Sequence, residues 1–282
     1  MKNSLLLIAK NLVKKGDLFI NKFGEKDFHK EAVQLLSSAK IYESFNYKEL
    51  ALNAFEKSFN HEQNFKHLEF SDLPLTIARG EKCFVDLYFW RRRPTVIHNH
   101  HFRGAFQCLE GLNIDSEFKF TKLKQFTRSH SLGKLEEKRV KTLKQGEIEG
   151  INFQDKFIHQ NLHQSDLTVN LCFRTADVPK KNLSNFLYSG FKYEKEQSSL
   201  SRVERLLAFT RINDFDYKKL NLNLEDAINF ELMTYGSESK NPFFLKLKKY
   251  LAQKVKDETG LNISSLINQH EKILDKIESE YE

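Results

Sequence analysis

Cysteine is scarce in this chain, and the little there is does not pair by spacing. Cys83, Cys108 and Cys172 form no C-x-x-C and no zinc-ribbon pattern, which argues against a thiolate metal site or a disulfide framework. A sparse, odd set of this kind suits a reducing cytoplasm. Proline and glycine are also few, four and 11 in 282 residues, which argues against long disordered linkers. No apolar run reaches the ~18 residues of a transmembrane helix, so no membrane span is expected. The apolar run at residues 5–9 stops at Lys10 with no small-residue cleavage site after it. An amphipathic first helix is therefore expected in place of a secretory signal.

What the chain does have is an ordinary globular balance, 40% hydrophobic and 29% charged, enough to bury a sizeable core. The formal charge is +7, and residues 91–149 hold 13 Lys/Arg against 7 Asp/Glu. Charge of this kind usually marks solvated strands and loops; the sharper alternative is attraction of an anionic ligand or nucleic acid. Arg91, Arg92 and Arg93 beside Phe89 and Trp90 could stack on and neutralise a nucleic acid, but no recognised nucleic-acid module accompanies them.

Hydrophobic periodicity divides the chain into three regions, 1–70, 71–178 and 179–282. In the first, Leu5, Leu6, Ala9, Leu12 and Val13 follow helical spacing, Ala32, Leu35, Leu36 and Ala39 repeat it, and Leu50, Leu52, Ala54 and Phe55 suggest a third helix. Gly16 and Gly24 are read as breaks between helices. The second region changes to β-branched and aromatic runs, CFVDLYFW (83–90), NIDSEFKF (113–120) and LTVNLCFRT (167–175), separated by glycines. In 113–120, Ile114, Ser116, Phe118 and Phe120 share one face. The third region returns to helix: Asn241-Pro242 reads as a cap and first-turn proline, with Phe244, Leu247, Leu251 and Val255 as one stripe and Gly260 as the stop. A last amphipathic helix carries Ile263, Leu266, Ile267, His270, Ile273, Leu274 and Ile277, with His270 read as packing. The expected fold is α+β: a central antiparallel β-sandwich or barrel with helical N- and C-terminal regions. The C-terminal helices offer a surface for a protein partner or a second copy.

Chemistry concentrates in residues 89–111, FWRRRPTVIHNHHFRGAFQCLEG. In a strand, His98 and His100 point to one face, and two imidazoles there with a third from another strand can hold a divalent metal. His101 should point the other way. His159 and His163 both stand in a later β-rich stretch.

These residues resemble the first motif of the cupin superfamily, G-x5-H-x-H-x3,4-E-x6-G. His98 and His100 match, Gly104 stands at the glutamate position, Gly111 closes the motif, and Arg92 replaces the leading glycine. Gly146 opens a degenerate second motif whose histidine falls two residues late, at His159; His163 occupies its final asparagine position and is the alternative third ligand. Without the glutamate, the set His98, His100 and His159 is similar to the three-histidine cupins, including thiol dioxygenases such as cysteine dioxygenase. That resemblance covers about residues 83–175. It implies a mononuclear non-haem Fe(II) site, with Zn or Ni as alternatives, acting with dioxygen on a small anionic or thiol-containing substrate. Trp90 matches a tryptophan upstream of that family's first histidine and is a candidate substrate contact. Cys172 and Arg174 fall where that family carries a pocket histidine and tyrosine, and both are catalytic candidates.

Arg174 and Arg103 are candidate anion contacts; Arg174 has the alternative of an internal carboxylate partner, and Arg103 of a surface role. Cys108 shares the parity of the histidines and is read as near the metal or as an inert core thiol; Glu110 shares it at a strand end. Gln107 and Asn161 are candidates for orienting the imidazoles. Two further readings are a non-redox metal enzyme or ligand-binding cupin, and an adaptor that binds a partner.

Overall fold

The computed structural model describes residues 4–43, 46, 71–176, 183–194, 202–207, 221–237, 239 and 241–280. The expected helix near 50–55 and the proline boundary at 179 lie outside them. Helices α1 (Ser4–Phe23) and α2 (Phe28–Ala39) precede strands β1 (Leu73–Arg79), β2 (Cys83–Trp90), β3 (Arg93–Pro94), β4 (Ile97–Asn99), β5 (Gly104–Glu110) and β6 (Asn113–Gln125). Strands β7 (His130–Leu143), β8 (Ile148–Ile151), β9 (Ile158–His163), β10 (Thr168–Thr175), β11 (Ser184–Phe186) and β12 (Phe191–Glu194) follow. The chain ends in α3 (Leu224–Thr234), α4 (Pro242–Thr259) and α5 (Ile263–Glu280). The α+β class with an antiparallel β core and helices at both ends is therefore as expected. The chain forms two compact units, residues 1–119 with 137–181, and residues 120–136 with 182–282.

The first unit contains a five-stranded antiparallel sheet in the order β1-β2-β10-β5-β8. Its central strands β2 and β10 are buried nearly throughout because both faces are covered. Alternation sorts their side chains into two clusters. Cys83, Val85, Leu87 and Phe89 of β2, with Val169, Leu171 and Phe173 of β10, pack with α1 and α2. Tyr88, Trp90, Phe106, Cys108 and Cys172 point to the other face and pack with Phe102, Ile151 and Phe157. On that side β9 pairs antiparallel with β3, β4 and β6, so the strands carrying the histidines face the sheet's inner surface.

Gly16 does not break the first helix; α1 runs through it to Phe23. A Cβ at Gly16 would lie 2.7 Å from the Phe173 ring and 2.8 Å from Cys83 Sγ, so the glycine lets the helix backbone approach the sheet. The strand read in 113–120 is β6, and its second face is covered as well. Besides Ile114 and Phe118, Asn113 and Asp115 on the opposite face are fully buried, because this end of β6 is paired to β9 and covered on both sides.

In the second unit, Asn241 Oδ1 accepts from the backbone N–H of Phe244 at 3.2 Å and caps α4. Phe244, Leu247, Leu251 and Val255 are all buried, as their spacing predicts, and pack with Ile228 and Phe230 of α3 and Ile263 and Ile267 of α5. His270 is buried and accepts from the Tyr188 N–H at 3.1 Å, which is a packing role. Among the described residues no helix is long and apolar enough to cross a membrane.

Candidate metal centre

His98 and His159 face each other across the β4–β9 pair, in direct register. His100 follows β4 by one residue and turns its ring to the same place: its centroid lies 4.7 Å from that of His98 and 5.0 Å from that of His159. One nitrogen from each of the three falls within 4.8 Å of the others, a group that could hold a metal ion. Each histidine is about 2% exposed, so the group is shielded from bulk water.

The hydrogen bonds define which nitrogens are available. His98 Nδ1 donates to the Val96 carbonyl at 2.8 Å, and His159 Nδ1 donates to Asp115 Oδ1 at 2.7 Å. Both rings therefore donate from Nδ1, which leaves Nε2 as the nitrogen for a metal. Asp115 is fully buried on β6 and stands where a carboxylate orients a metal-binding imidazole. His100 Nε2 approaches His159 Nε2 to 2.9 Å. Two lone pairs so close repel unless a proton or a cation lies between them. Two nitrogens each ~2.1 Å from one ion at a right angle would be ~3 Å apart, so the spacing fits a pair of adjacent ligands. Burial and the neighbouring imidazoles hold His98 down to about 3 and His100 well below the usual histidine range, so both stay neutral, the form that binds metal.

The missing glutamate has a packing cause. A Cβ at Gly104 would collide with the Phe173 carbonyl oxygen and lie 2.8 Å from Arg174 Cα, where β5 pairs with β10. No side chain fits there, and among the described residues the group that could hold a metal offers nitrogen alone.

His163 lies apart from this group. Its ring stacks on Trp90 at 4.6 Å and 16°, and its Nδ1 donates to Asn113 Oδ1 at 2.6 Å. Burial pushes it down to about 3. His101 is buried with its ring 6.2 Å from Phe153, outside the metal group.

The histidines open on a cavity of about 380 Å³, its solvent mouth included. Tyr88, Trp90, Phe102, Phe106, Ile151 and Cys172 form its apolar wall; Thr95, Asn161 and Asn170 are its polar part. Cys172 and Trp90 thus both line the cavity. Arg174 does not line the cavity. Its Nε donates to Asp86 Oδ2 at 2.7 Å, and its guanidinium lies over the Phe84 and Phe102 rings. Asp86 also accepts from Thr76 and Tyr88, so this is a buried internal ion pair, the alternative left open for Arg174. Arg103 lies over the Phe153 ring at 4.5 Å, also away from the cavity lining.

Gln107 donates to the Gly146 carbonyl and Asn161 lines the cavity. The groups that orient imidazoles are instead Val96 and Asp115. Sequence reasoning missed Asp115 because alternation in 113–120 put it on the presumed solvent face; a carboxylate inside a run otherwise expected to be half-buried was the available signal. Cys108 belongs to the inner apolar cluster, where burial raises its thiol to about 12, an inert core thiol. Arg91 and Arg93 both pair with Asp72 at 3.4 Å, which leaves that patch less basic than its sequence.

An antiparallel β core with two histidines from one strand segment beside a third on the paired strand resembles the arrangement of the cupin superfamily. No family model matches the chain, and no curated protein does. Part of the chain is similar to solved structures. One is a hydroquinone 1,2-dioxygenase in complex with Cd2+ and 4-hydroxybenzonitrile (11% identity, 37% of this chain and 63% of that one, TM-score 0.29). A second is the hydroquinone 1,2-dioxygenase of Sphingomonas sp. TTNP3 with 4-hydroxybenzoate bound (5% identity, 43% and 72%, TM-score 0.31). A third is a cupin-2 domain-containing protein of Shewanella frigidimarina NCIMB 400 (15% identity, 48% and 96%, TM-score 0.26). This chain thus spans under two thirds of the first of them. Overlaps of this extent carry no activity across.

Proposed function

We propose that this chain is a metal-dependent enzyme of cupin type, with His98, His100 and His159 as ligands to Fe(II), and that it is an oxygenase. The observation that carries the reading is the convergence of three buried imidazoles, with no carboxylate in the group, among the described residues. A bound Fe(II) would supply an open position for substrate and one for dioxygen. The chain's own part is geometric and electrostatic. Val96 and Asp115 hold the imidazoles in one tautomer, Gly104 keeps a carboxylate out, and the aromatic wall excludes water from the site.

The thiol-dioxygenase resemblance suggests a thiol substrate, with Cys172 and Trp90 beside it. An anion would find no lysine or arginine among the described lining residues, so its charge would rest on the metal alone. The all-nitrogen donor set equally suits Zn or Ni, which supports a second, non-redox reading in which the metal polarises a substrate oxygen. Cys83, Cys108 and Cys172 are buried thiols outside any disulfide, which suits a cytoplasmic setting.

The test is metal content after anaerobic purification, for wild type and His98→Ala. About one iron per chain in the wild type, lost in the variant, with a nitric-oxide adduct of the iron and substrate-dependent oxygen uptake, supports the oxygenase. Stoichiometric zinc or nickel moves the assignment to the non-redox reading. No metal in either protein, even after Fe(II) addition, sinks both and leaves the adaptor reading, with partner binding through the C-terminal helices.

A further inference from the structure

The polar part of the cavity has a defined hydrogen-bonding sense. Asn161 stands two residues after His159 on β9, on the same face, and its Oδ1 is buried with no partner among the described residues. Its backbone is clamped on Thr95: the Asn161 N–H donates to Thr95 Oγ1 at 3.0 Å, and the Asn161 carbonyl accepts from the Thr95 N–H at 2.8 Å. The residue is 7% exposed, so its acceptor is held in place and desolvated whether or not a ligand is there. An acceptor left so costs free energy unless a ligand donates to it.

Asn170, on β10, presents the opposite sense. A relay fixes it. His163 Nδ1 donates to Asn113 Oδ1 at 2.6 Å, and Asn113 Nδ2 donates to Asn170 Oδ1 at 2.9 Å. The His163 tautomer follows from burial: its other nitrogen, Nε2, has no partner among the described residues, and a bare acceptor there costs less than a bare N–H. With Oδ1 taken by Asn113, what Asn170 offers the cavity is its NH2 donor. Apart from Thr95, the three histidines and the Cys172 thiol, the rest of the wall is aromatic and aliphatic, and the described lining contains no lysine or arginine.

We propose that this cavity takes a small, flat, apolar-bodied molecule without a carboxylate or phosphate group, recognised by a paired donor and acceptor, Asn170 donating and Asn161 accepting. The inference rests on the metal-dependent reading only for what lies on the histidine side; the selectivity belongs to the two amides. It makes Asn161 and Asn170 specificity-determining residues and His163 and Asn113 positioning residues that set the Asn170 amide.

Benzamide and benzoate separate the possibilities, being equal in shape but differing in charge and in the donor. The chain's one tryptophan, Trp90, lines the cavity, so its fluorescence reports binding there directly. With full-length, chelator-treated protein, benzamide should give a saturable change in emission at least about tenfold tighter than benzoate. Asn161→Leu should weaken benzamide about tenfold, as expected for one lost hydrogen bond to a buried group, while leaving thermal stability and Co(II) uptake near wild type. His163→Phe, which keeps the Trp90 stack and removes the relay, should lower benzamide affinity and leave benzoate unchanged. Equal or tighter binding of benzoate, or an Asn161→Leu protein that binds benzamide as wild type does, overturns the proposal. Co(II) titration of the same samples reads the metal site separately. A chain that prefers benzamide but takes no metal would refute the enzyme reading and keep this one; a chain that takes metal but shows no preference would do the reverse.

Discussion

Gly104 shows how one residue constrains the chemistry of this site. A side chain at Gly104, where the cupin motif it resembles carries glutamate, would meet backbone of β10, so substitution there cannot supply a carboxylate. Gly104→Ala is expected to destabilise the protein by about 3 kcal/mol, since the added methyl must displace main chain, and urea unfolding measures it. Gly104→Glu should fail to add a fourth ligand and should lose the fold first. Asp115 works at the same scale through His159. Asp115→Asn preserves volume and can still accept the Nδ1 proton, but it removes the carboxylate that makes the imidazole a stronger donor. Co(II) affinity is expected to fall about 10–100-fold, read by titration of the Co(II) absorption. An unchanged affinity would mean that Asp115 is only a structural partner of His159.

At the scale of elements, the strands position the site by parity. One strand, β2, supplies Cys83, Val85, Leu87 and Phe89 to the helix-covered core and Tyr88 and Trp90 to the inner cluster. One helix carries a different kind of information. Glu231 on α3 is 3% exposed, its Oε1 has no partner among the described residues, and burial pushes its carboxyl up to about 7. The folded pKa lies above the unfolded value of 4.5, so the folded state holds a proton that the unfolded chain has released. Its contribution to stability is therefore complete below about pH 4.5, declines as pH rises towards 7, and is flat above that. Glu231→Gln should leave stability near wild type at pH 4 and raise it at pH 8 by about 2–3 kcal/mol, measured by denaturant unfolding at the two pH values. His130, held down to about 4 by burial, acts in the opposite direction, with stability lost as pH falls from about 6.5 towards 4. The Gln variant should therefore show an uncancelled loss of stability on acidification through that window.

For the molecule as a whole, the metal and the fold are linked. A ligand held by the native histidines and not by the unfolded chain stabilises by mass action, about 2.7 kcal/mol at a free concentration one hundred times Kd. Added Co(II) or Zn should raise the wild-type melting temperature and leave that of His98→Ala unmoved. A shift of equal size in the variant would place the metal elsewhere. The basic balance of the chain has less consequence for the whole than its count suggests. Arg139 and Lys141 pair with Glu149, Lys138 with Glu117, and Arg91 and Arg93 with Asp72, so much of the positive charge on the strands is answered locally.

Much of this was legible along the chain. The β-branched and aromatic runs CFVDLYFW and LTVNLCFRT read as two strands at nearly their final bounds, and helical spacing marked the buried stripe Phe244, Leu247, Leu251 and Val255, because strand preference and helical period are properties of local geometry. The His98–x–His100 pair was visible for the same reason. What local spacing could not decide was which distant residue meets which. His159 and His163 share a strand and a face, and only the pairing of β4 with β9 brings His159 to the pair and leaves His163 against Trp90. Arg174 reads equally as an anion contact or an ion-pair partner until β2 and β10 set Asp86 beside it. Asp115 has no legible role along the chain until β6 is laid on β9. The sequence by itself determined the elements, the apolar faces and two of the three imidazoles. Tertiary structure decided the third imidazole, its carboxylate partner and the neutral cavity wall, because those depend on strand register across long separations, where a shift of one residue would turn every side chain to the other face.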